Sequence, residues 1–412
     1  MSKALAKVPT AAAVKSSSAL AGLAGLILKA TQQQSIGYRS GTMPHLPTGI
    51  IQIDTLIGGE LVEDKKSMVC PGLPKGRIIE VYGAESSGKT TLGLKFISVL
   101  QKSGGSALFL DYEHALHHGY AKATGVDFSP DKLLLYQPNT FEEGIKMLYL
   151  ACAQKVDLVV IDSVSAMVPA SELEKKVDDP AKIGALASTM SKYLPKMVKW
   201  LDQSGTTLVF INQTRALIST NSYASSGGGE DNTSGGKALK FFCSIRLKTT
   251  RIRSDFVEKK DTVTLKKKRT PYGNLVQVKA VKNKIAGHQG HTSEIFIRYG
   301  SGVDEYLSLI ESALPRSIIS KSGGNYAYGS NKFVGKEKVR RFLIDNPKAY
   351  EEIRDRVMKA IVAEAPEPLQ GDDEIEDDDI ISDMRKNVGD DDMVDDSEDA
   401  SVEETLAEIE AS

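Results

Sequence analysis

The residues best suited to chemistry form one short run. Gly83-Ala-Glu-Ser-Ser-Gly88-Lys89-Thr90 follows the spacing G-x-x-x-x-G-K-[ST]. Its glycines let the backbone turn several N–H groups inward around a phosphate. Lys89 can then neutralise β- and γ-phosphate oxygens, and the Thr90 hydroxyl can complete a Mg²⁺ shell. The apolar run Ile78–Val81 just before it reads as a buried strand, and Leu92–Val99 just after it as a helix. That is the setting such a loop requires. Gly83, Glu85, Ser86, Ser87, Gly88, Lys89, Thr90 and Thr91 are the residues expected around ATP and Mg²⁺.

Hydrolysis needs further groups near the phosphates, and three other apolar runs end in suitable ones. Leu158-Val-Val-Ile-Asp162 ends in a carboxylate that can hold Mg²⁺ through water. Leu108-Phe-Leu-Asp111-Tyr-Glu113 ends in two acids. A strand-end Glu113 can act as general base on the attacking water, although capping of the next helix would also employ an acid there. Val209-Phe-Ile-Asn212-Gln213-Thr-Arg215 ends in an amide pair. It can sense the γ-phosphate or merely cap its strand, and spacing does not decide between the two.

These groups need a scaffold. Ile78–Val81, Ala107–Leu110, Leu158–Ile161 and Thr207–Ile211 are short, β-rich runs, separated by helical stretches such as Phe141–Ala153 and Ile183–Leu201. Such alternation predicts βαβ units, hence an α/β fold with a mainly parallel sheet covered on both faces. Two polar segments, Ser171–Lys182 and Ser219–Gly236, follow strand ends, the edge where open α/β sheets bind ligands. The second is too long for an ordinary connection, which leaves a functional or a disordered segment. From Phe241 to Arg298 the pattern turns β-like, with strands expected at Phe241–Leu247, Leu275–Val281 and Glu294–Ile297. A small C-terminal α+β unit follows, with a helix at Lys336–Ile344 and a break at Asn346-Pro347. A second helix then carries Tyr350, Ile353, Val357 and Ile361 on one face.

Charge divides the chain of 412 residues. The net charge of −2 hides a stretch, 371–412, with 19 acidic and 2 basic residues, behind 370 residues with 50 basic and 35 acidic ones. Lys237–Lys284 alone carries 15 basic and 3 acidic residues. A basic body points to an anionic partner, nucleic acid first, with a soluble enzyme bearing an unstructured tail as the plainer alternative. The tail is too acidic and too poor in aromatics to fold. Cys70, Cys152 and Cys243 are too few and too scattered for a disulfide framework or zinc cluster, and fit a reducing, cytoplasmic setting. The run Ala19–Leu28 is too short to span a bilayer, so no membrane partner is expected. The acid-free N-terminus overlaps in composition with a targeting peptide. Its single arginine, Arg39, and the lack of a clear cleavage site favour a docking arm, flexible over 1–18 and helical over 19–33.

Taken together, the strand ends resemble those of the bacterial RecA recombinase family. The matching pieces are GAESSGKTT (Gly83–Thr91), DYEHAL (Asp111–Leu116), VIDSV (Val160–Val164), FINQ (Phe210–Gln213), GGKALKF (Gly235–Phe241) and VKNKI (Val281–Ile285), in the family's order. The resemblance covers about residues 45–350. It implies a DNA-dependent ATPase that forms helical filaments on single-stranded DNA and exchanges strands with homologous duplex DNA. In those terms Lys89 and Thr90 bind the triphosphate and Mg²⁺, Asp162 is the second magnesium-site carboxylate, and Glu113 activates water. Gln213 links the γ-phosphate to the following loop, and Tyr120 stacks on adenine. Lys282 and Lys284 would reach the ATP of a neighbouring subunit; the residues alone read first as a solvated basic face. DNA contacts are implied for Ile183, Gly184 and Ser191 in and after the first loop. In and after the second they are implied for Thr214, Arg215, Gly235, Gly236 and Lys237.

The expected organisation is an N-terminal arm (1–45), an ATPase core (46–300) with DNA-binding loops near 171–185 and 214–236, a small C-terminal domain (301–365) and an acidic tail (366–412). The sequence departs from the family at several places. His117-His118 replaces the usual Asp-Pro, the first loop is one residue longer, and Pro195 stands where a basic residue is common. The second loop is rich in Ser and Gly, and an insertion lies near Leu61–Cys70. These mark a divergent member, with a phage origin as one reading. A ring-forming helicase or loader on the same core is the alternative function.

Overall fold

The computed structural model describes residues 43–58, 70–175, 184–215, 232–260, 267–285 and 289–363. The expected arm through residue 42, Ile183, most of both expected DNA loops and the acidic tail lie outside the described residues, and so does most of the insertion before Cys70.

The helix α1 (Ile51–Gly58) precedes strand β1 (Ile78–Gly83) and α2 (Lys89–Lys102). Then come β2 (Ala107–Asp111), α3 (His118–Ala123), β3 (Leu133–Tyr136), α4 (Phe141–Ala153), β4 (Leu158–Asp162), α5 (Ala185–Ser204) and β5 (Thr207–Arg215). After α6 (Gly236–Phe242) the chain makes β6 (Ile245–Lys260), β7 (Lys267–Asn283), β8 (Thr292–Arg298) and α7 (Glu305–Ala313). Short strands β9 (Ser320–Ser322), β10 (Asn325–Tyr328) and β11 (Asn331–Val334) precede α8 (Lys336–Asp345) and α9 (Pro347–Ala363).

Six strands run parallel in the order β6-β1-β5-β4-β2-β3, and β7 and β8 extend the β6 side antiparallel. The central strands β1, β4 and β2 are buried along their whole length and largely apolar because both faces are covered. Successive residues of β4 serve opposite faces. Val160 packs with Leu92, Phe96 and Ile97 of α2, while Val159 and Ile161 pack with Phe141 and Leu148 of α4 and Met190 and Leu194 of α5. Phe210 is fully buried in the second of these layers, and its truncation to alanine would cost about 3–5 kcal/mol. A third core joins Leu275 and Phe296 to Leu307 and Ile310 of α7, Val339 and Leu343 of α8, and Ile353 and Val357 of α9. The last two bear out the apolar face expected of that helix.

One local expectation is corrected. Phe241–Leu247 is not one strand. Phe241 and Phe242 end α6, and strand begins only at Ile245. The reason lies just upstream, where Gly235 and Gly236 adopt left-handed φ values of 93° and 73° and turn the chain into a helix that buries Leu239. The hairpin β6–β7 also runs further than expected. β1 accompanies β6 only to Thr249, and β8 accompanies β7 only from Gly273, so the remainder is a two-stranded arm. Its register sets Lys259 opposite Lys268 and Lys260 opposite Lys267.

Candidate nucleotide site and DNA-facing segments

Because β1, β5, β4 and β2 are adjacent and parallel, their C-terminal ends meet at one sheet edge. The register aligns Gly83 with Gln213, and Asp162 with both Ile211 and Asp111. The phosphate loop leaves from Gly83. A side chain there would meet Thr249 Oγ1 at 2.6 Å, and Gly88 opens α2 at φ 90°. Ser87 Oγ and Thr249 Oγ1 share a hydrogen bond of 2.7 Å, while Glu85 and Ser86 are exposed at the tip. Lys89 is buried and donates to Ala84 O at 2.8 Å. Burial pulls its ammonium below the ordinary lysine value, opposed by Asp162, Glu113 and Glu85.

Thr90 Oγ1 donates to Asp162 Oδ2 at 2.6 Å. Burial pushes the Asp162 carboxyl up to about 6, with Glu113 and Asp111 adding to the rise and the Thr90 bond opposing it. The two acids at the end of β2 divide their tasks. Asp111 accepts from Ala115 N and Leu116 N at 3.4 and 3.3 Å and from Gln137 Nε2 at 3.1 Å, so it holds the turn. Glu113 is exposed at the site, where Oε1 accepts from Ser163 Oγ at 2.5 Å and Gln213 Nε2 at 2.9 Å. Tyr120 OH and Thr91 Oγ1 share a bond of 2.8 Å, which sets the ring beside the start of α2. The divergent histidines serve local structure. His117 Nδ1 accepts from Tyr120 N at 3.1 Å and caps α3, and His118 stacks on Phe128 at 4.8 Å.

The residues expected to face DNA lie around the starts of α5 and α6. Gly184 opens α5 at φ 82°, and Ser191 is exposed two turns on, its hydroxyl bonded to Ala187 O. Thr214 and Arg215 pair with Thr233 and Asn232, which brings the two ends of the second segment together. A side chain at Gly236 would meet Ala187 Cβ at 2.7 Å, so the two helix starts touch. Lys237 is exposed beside them. Lys282 and Lys284 are not brought to this chain's own phosphate loop. Lys282 Nζ donates to Lys240 O and Phe241 O at 2.6 and 2.9 Å, and Lys284 Nζ to Phe241 O at 3.3 Å, so both cap the C-terminal end of α6.

Three residues without a role in the sequence reading belong to this region: Ser163, which holds Glu113, and buried Glu80 and Arg246, which join Asn212 of the amide pair. A signal for the last set existed. Glu80 is a charge inside an otherwise apolar strand, and a buried carboxylate requires a partner.

A phosphate loop on the first strand of a parallel sheet, with the carboxylates Asp162 and Glu113 at neighbouring strand ends, defines a P-loop core. The comparisons go further. The RecA N-terminal domain matches residues 28–304 and the RecA C-terminal domain residues 308–362. Protein RecA of Salinispora tropica is 41% identical over 318 residues, covering 77% of this chain and 83% of that protein. Protein RecA of Oleidesulfovibrio alaskensis is 39% identical over 333 residues, covering 80% and 86%. That of Tropheryma whipplei is 40% identical over 318 residues, 77% of this chain but 66% of the longer relative. A solved RadB recombinase overlaps 63% of the chain at 18% identity and a TM-score of 0.42, too distant to bear on the assignment. The chain belongs to the RecA family. Nothing in these matches supports the helicase or loader alternative. Among the described residues no helix is long and apolar enough to cross a membrane.

Proposed function

We propose that this chain, as a RecA-family DNA recombinase, polymerises on single-stranded DNA with ATP and Mg²⁺, pairs that strand with homologous duplex DNA, and exchanges strands during repair in the cytoplasm. One observation carries the reading: Thr90 bonds Asp162 and Gln213 bonds Glu113, and Ser163, next to Asp162, also bonds Glu113, so four separate segments meet in one site beside the phosphate loop. The donor set fits Mg²⁺–ATP. Thr90 and Asp162 offer hard oxygens at the loop's end, and glycine at 83 and 88, where a side chain would strike Thr249 and Ile297, lets the loop keep its course. When bound, Mg²⁺ would neutralise charge building on the phosphate oxygens.

The chain's own residues do the rest. Loop N–H groups and Lys89 position the triphosphate. Ser163 and Gln213 both occupy Oε1 of Glu113, which leaves Oε2 to accept the proton of the attacking water. Gln213 stands at the start of the second DNA segment and reports nucleotide state to it. Gly184, Ser191, Thr214, Arg215, Gly235, Gly236 and Lys237 line the single-strand path, supported by the basic stretch Lys237–Lys284, which binds phosphates without regard to sequence. Lys282 and Lys284 extend to the ATP of the adjoining subunit, so hydrolysis loosens both the subunit interface and the grip on DNA.

Electron microscopy with single-stranded DNA tests the reading. A slowly hydrolysed ATP analogue should produce helical filaments, and ADP should not; closed rings would place the chain with the loaders instead.

A further inference from the structure

Asn212 stands between two parts that the proposed cycle must connect. The next residue, Gln213, reaches Glu113 in the nucleotide site. The chain then leaves along the second DNA segment and returns at Ser234. Asn212 is fully buried, and both ends of its amide are engaged. Oδ1 accepts from Gln213 N at 2.9 Å, while Nδ2 donates to Glu80 Oε1 at 2.9 Å and to Ser234 O at 2.8 Å. Glu80, fully buried in the phosphate-loop strand, accepts from Arg246 Nε at 2.6 Å through its other oxygen. The Arg246 guanidinium lies over the Tyr82 ring at 4.6 Å. One side chain therefore ties the sensor strand end to the phosphate-loop strand and to the point where the DNA segment re-enters the fold.

That re-entry point is incompletely satisfied. Among the described residues, Thr233 Oγ1, Ser234 Oγ and Arg246 Nη2 are buried and find no hydrogen-bond partner. Unpaired buried polar groups raise the free energy of an arrangement, which favours a second one that pairs them. Three such groups gathered around the Asn212 contacts make this the place where a second arrangement, such as coupling between sites requires, would gain most.

We propose that Asn212, held by the Glu80–Arg246 pair, is the positioning residue through which Gln213 re-aims Gly235, Gly236 and Lys237 when the γ-phosphate is present. The inference rests on the reading of Gln213 as nucleotide sensor and of the second segment as a DNA loop. As Gln213 shifts toward a phosphate, its backbone N–H draws on Asn212 Oδ1, and the Ser234 carbonyl follows Nδ2.

Asn212→Asp removes both donors and keeps the acceptor for Gln213, but alone it sets two carboxylates together. Combining it with Glu80→Gln restores a donor–acceptor contact between the two positions and leaves Ser234 O facing a carboxylate oxygen in place of its donor. The full chain is assayed for affinity to oligothymidylate with an ATP analogue and with ADP, for affinity to a fluorescent ATP analogue, and for thermal unfolding. The double variant should unfold a few degrees lower but stay folded at the assay temperature and keep nucleotide affinity within about twofold, while its ATP-over-ADP ratio of DNA affinities falls about tenfold or more. A wild-type ratio in the double variant overturns the proposal. Parallel loss of nucleotide affinity and ratio overturns it as well, because that outcome is structural. In the unmodified chain, amide hydrogen exchange at Ser234–Lys237 should change when the ATP analogue binds without DNA; no change also overturns it. A wild-type protein whose DNA affinity ignores nucleotide would instead overturn the functional reading beneath.

Discussion

Gln213 Nε2 donates to Glu113 Oε1 across 2.9 Å, joining the ends of two strands that β4 separates in the sheet. On the proposed reading, the amide that meets a γ-phosphate is the same group that orients the base, and sensing and hydrolysis would share one hydrogen bond. Glu113→Gln keeps the shape and removes the proton acceptor. Phosphate release should fall about 10²–10⁴-fold, with little change in ATP-analogue affinity. Equal losses in binding and turnover would move the base elsewhere.

Asp162 gives a pH dependence with opposite signs for folding and function. Burial raises its carboxyl from 3.8 to about 6. The protonated form is favoured in the folded chain, so this contribution to stability is fully present below the unfolded value and is lost as pH rises through about 6. Metal binding needs the ionised form. Mg²⁺ affinity measured by titration calorimetry with an ATP analogue should weaken by up to about tenfold per pH unit below 6. Added Mg²⁺ should move the acid limb of the ATPase profile downward.

Lys282 titrates at the other end. Burial, and then Lys284, bring its ammonium down to about 8. The neutral form is favoured in the fold, so this contribution to stability is present at high pH and lost as pH falls through about 8. The proposed reach to a neighbour's triphosphate needs the charge. DNA-dependent ATPase should therefore decline between pH 7 and 9, and Lys282→Arg, which stays charged, should flatten that decline whatever its absolute rate.

The acidic stretch 371–412 opposes a basic body in sequence. If it competes with DNA for that body, deleting it should strengthen duplex binding and lower the Mg²⁺ requirement. Filter binding at several Mg²⁺ concentrations checks both, and no change in either would leave the stretch a solubilising appendage.

Much of the site was legible because a few residues have few uses. Gly83, Gly88, Lys89 and Thr90 at fixed spacing can hardly serve another end, and apolar strands ending in Asp162 or Glu113 advertise their edge of the sheet. Partners were not legible. Nothing in the spacing joins Ser163 to Glu113 or Asn212 to Ser234, since those contacts depend on strand order and register. Phe241 and Phe242 misled because aromatic pairs favour strands locally, whereas the left-handed turn at Gly235 and Gly236 had already committed the chain to helix. Leu133–Tyr136 was passed over because it is a sheet-edge strand with Leu134 exposed, which weakens the buried-run signal.

Strand exchange between circular single-stranded DNA and homologous linear duplex, with ATP and Mg²⁺, tests the central claim most directly. The wild-type chain should yield joint molecules and then nicked circles. Lys89→Ala should yield neither, since loss of one preorganised charge at the phosphates costs about 10²–10³-fold in turnover. Joint molecules formed equally by Lys89→Ala, or directional unwinding without pairing by the wild type, would contradict the account.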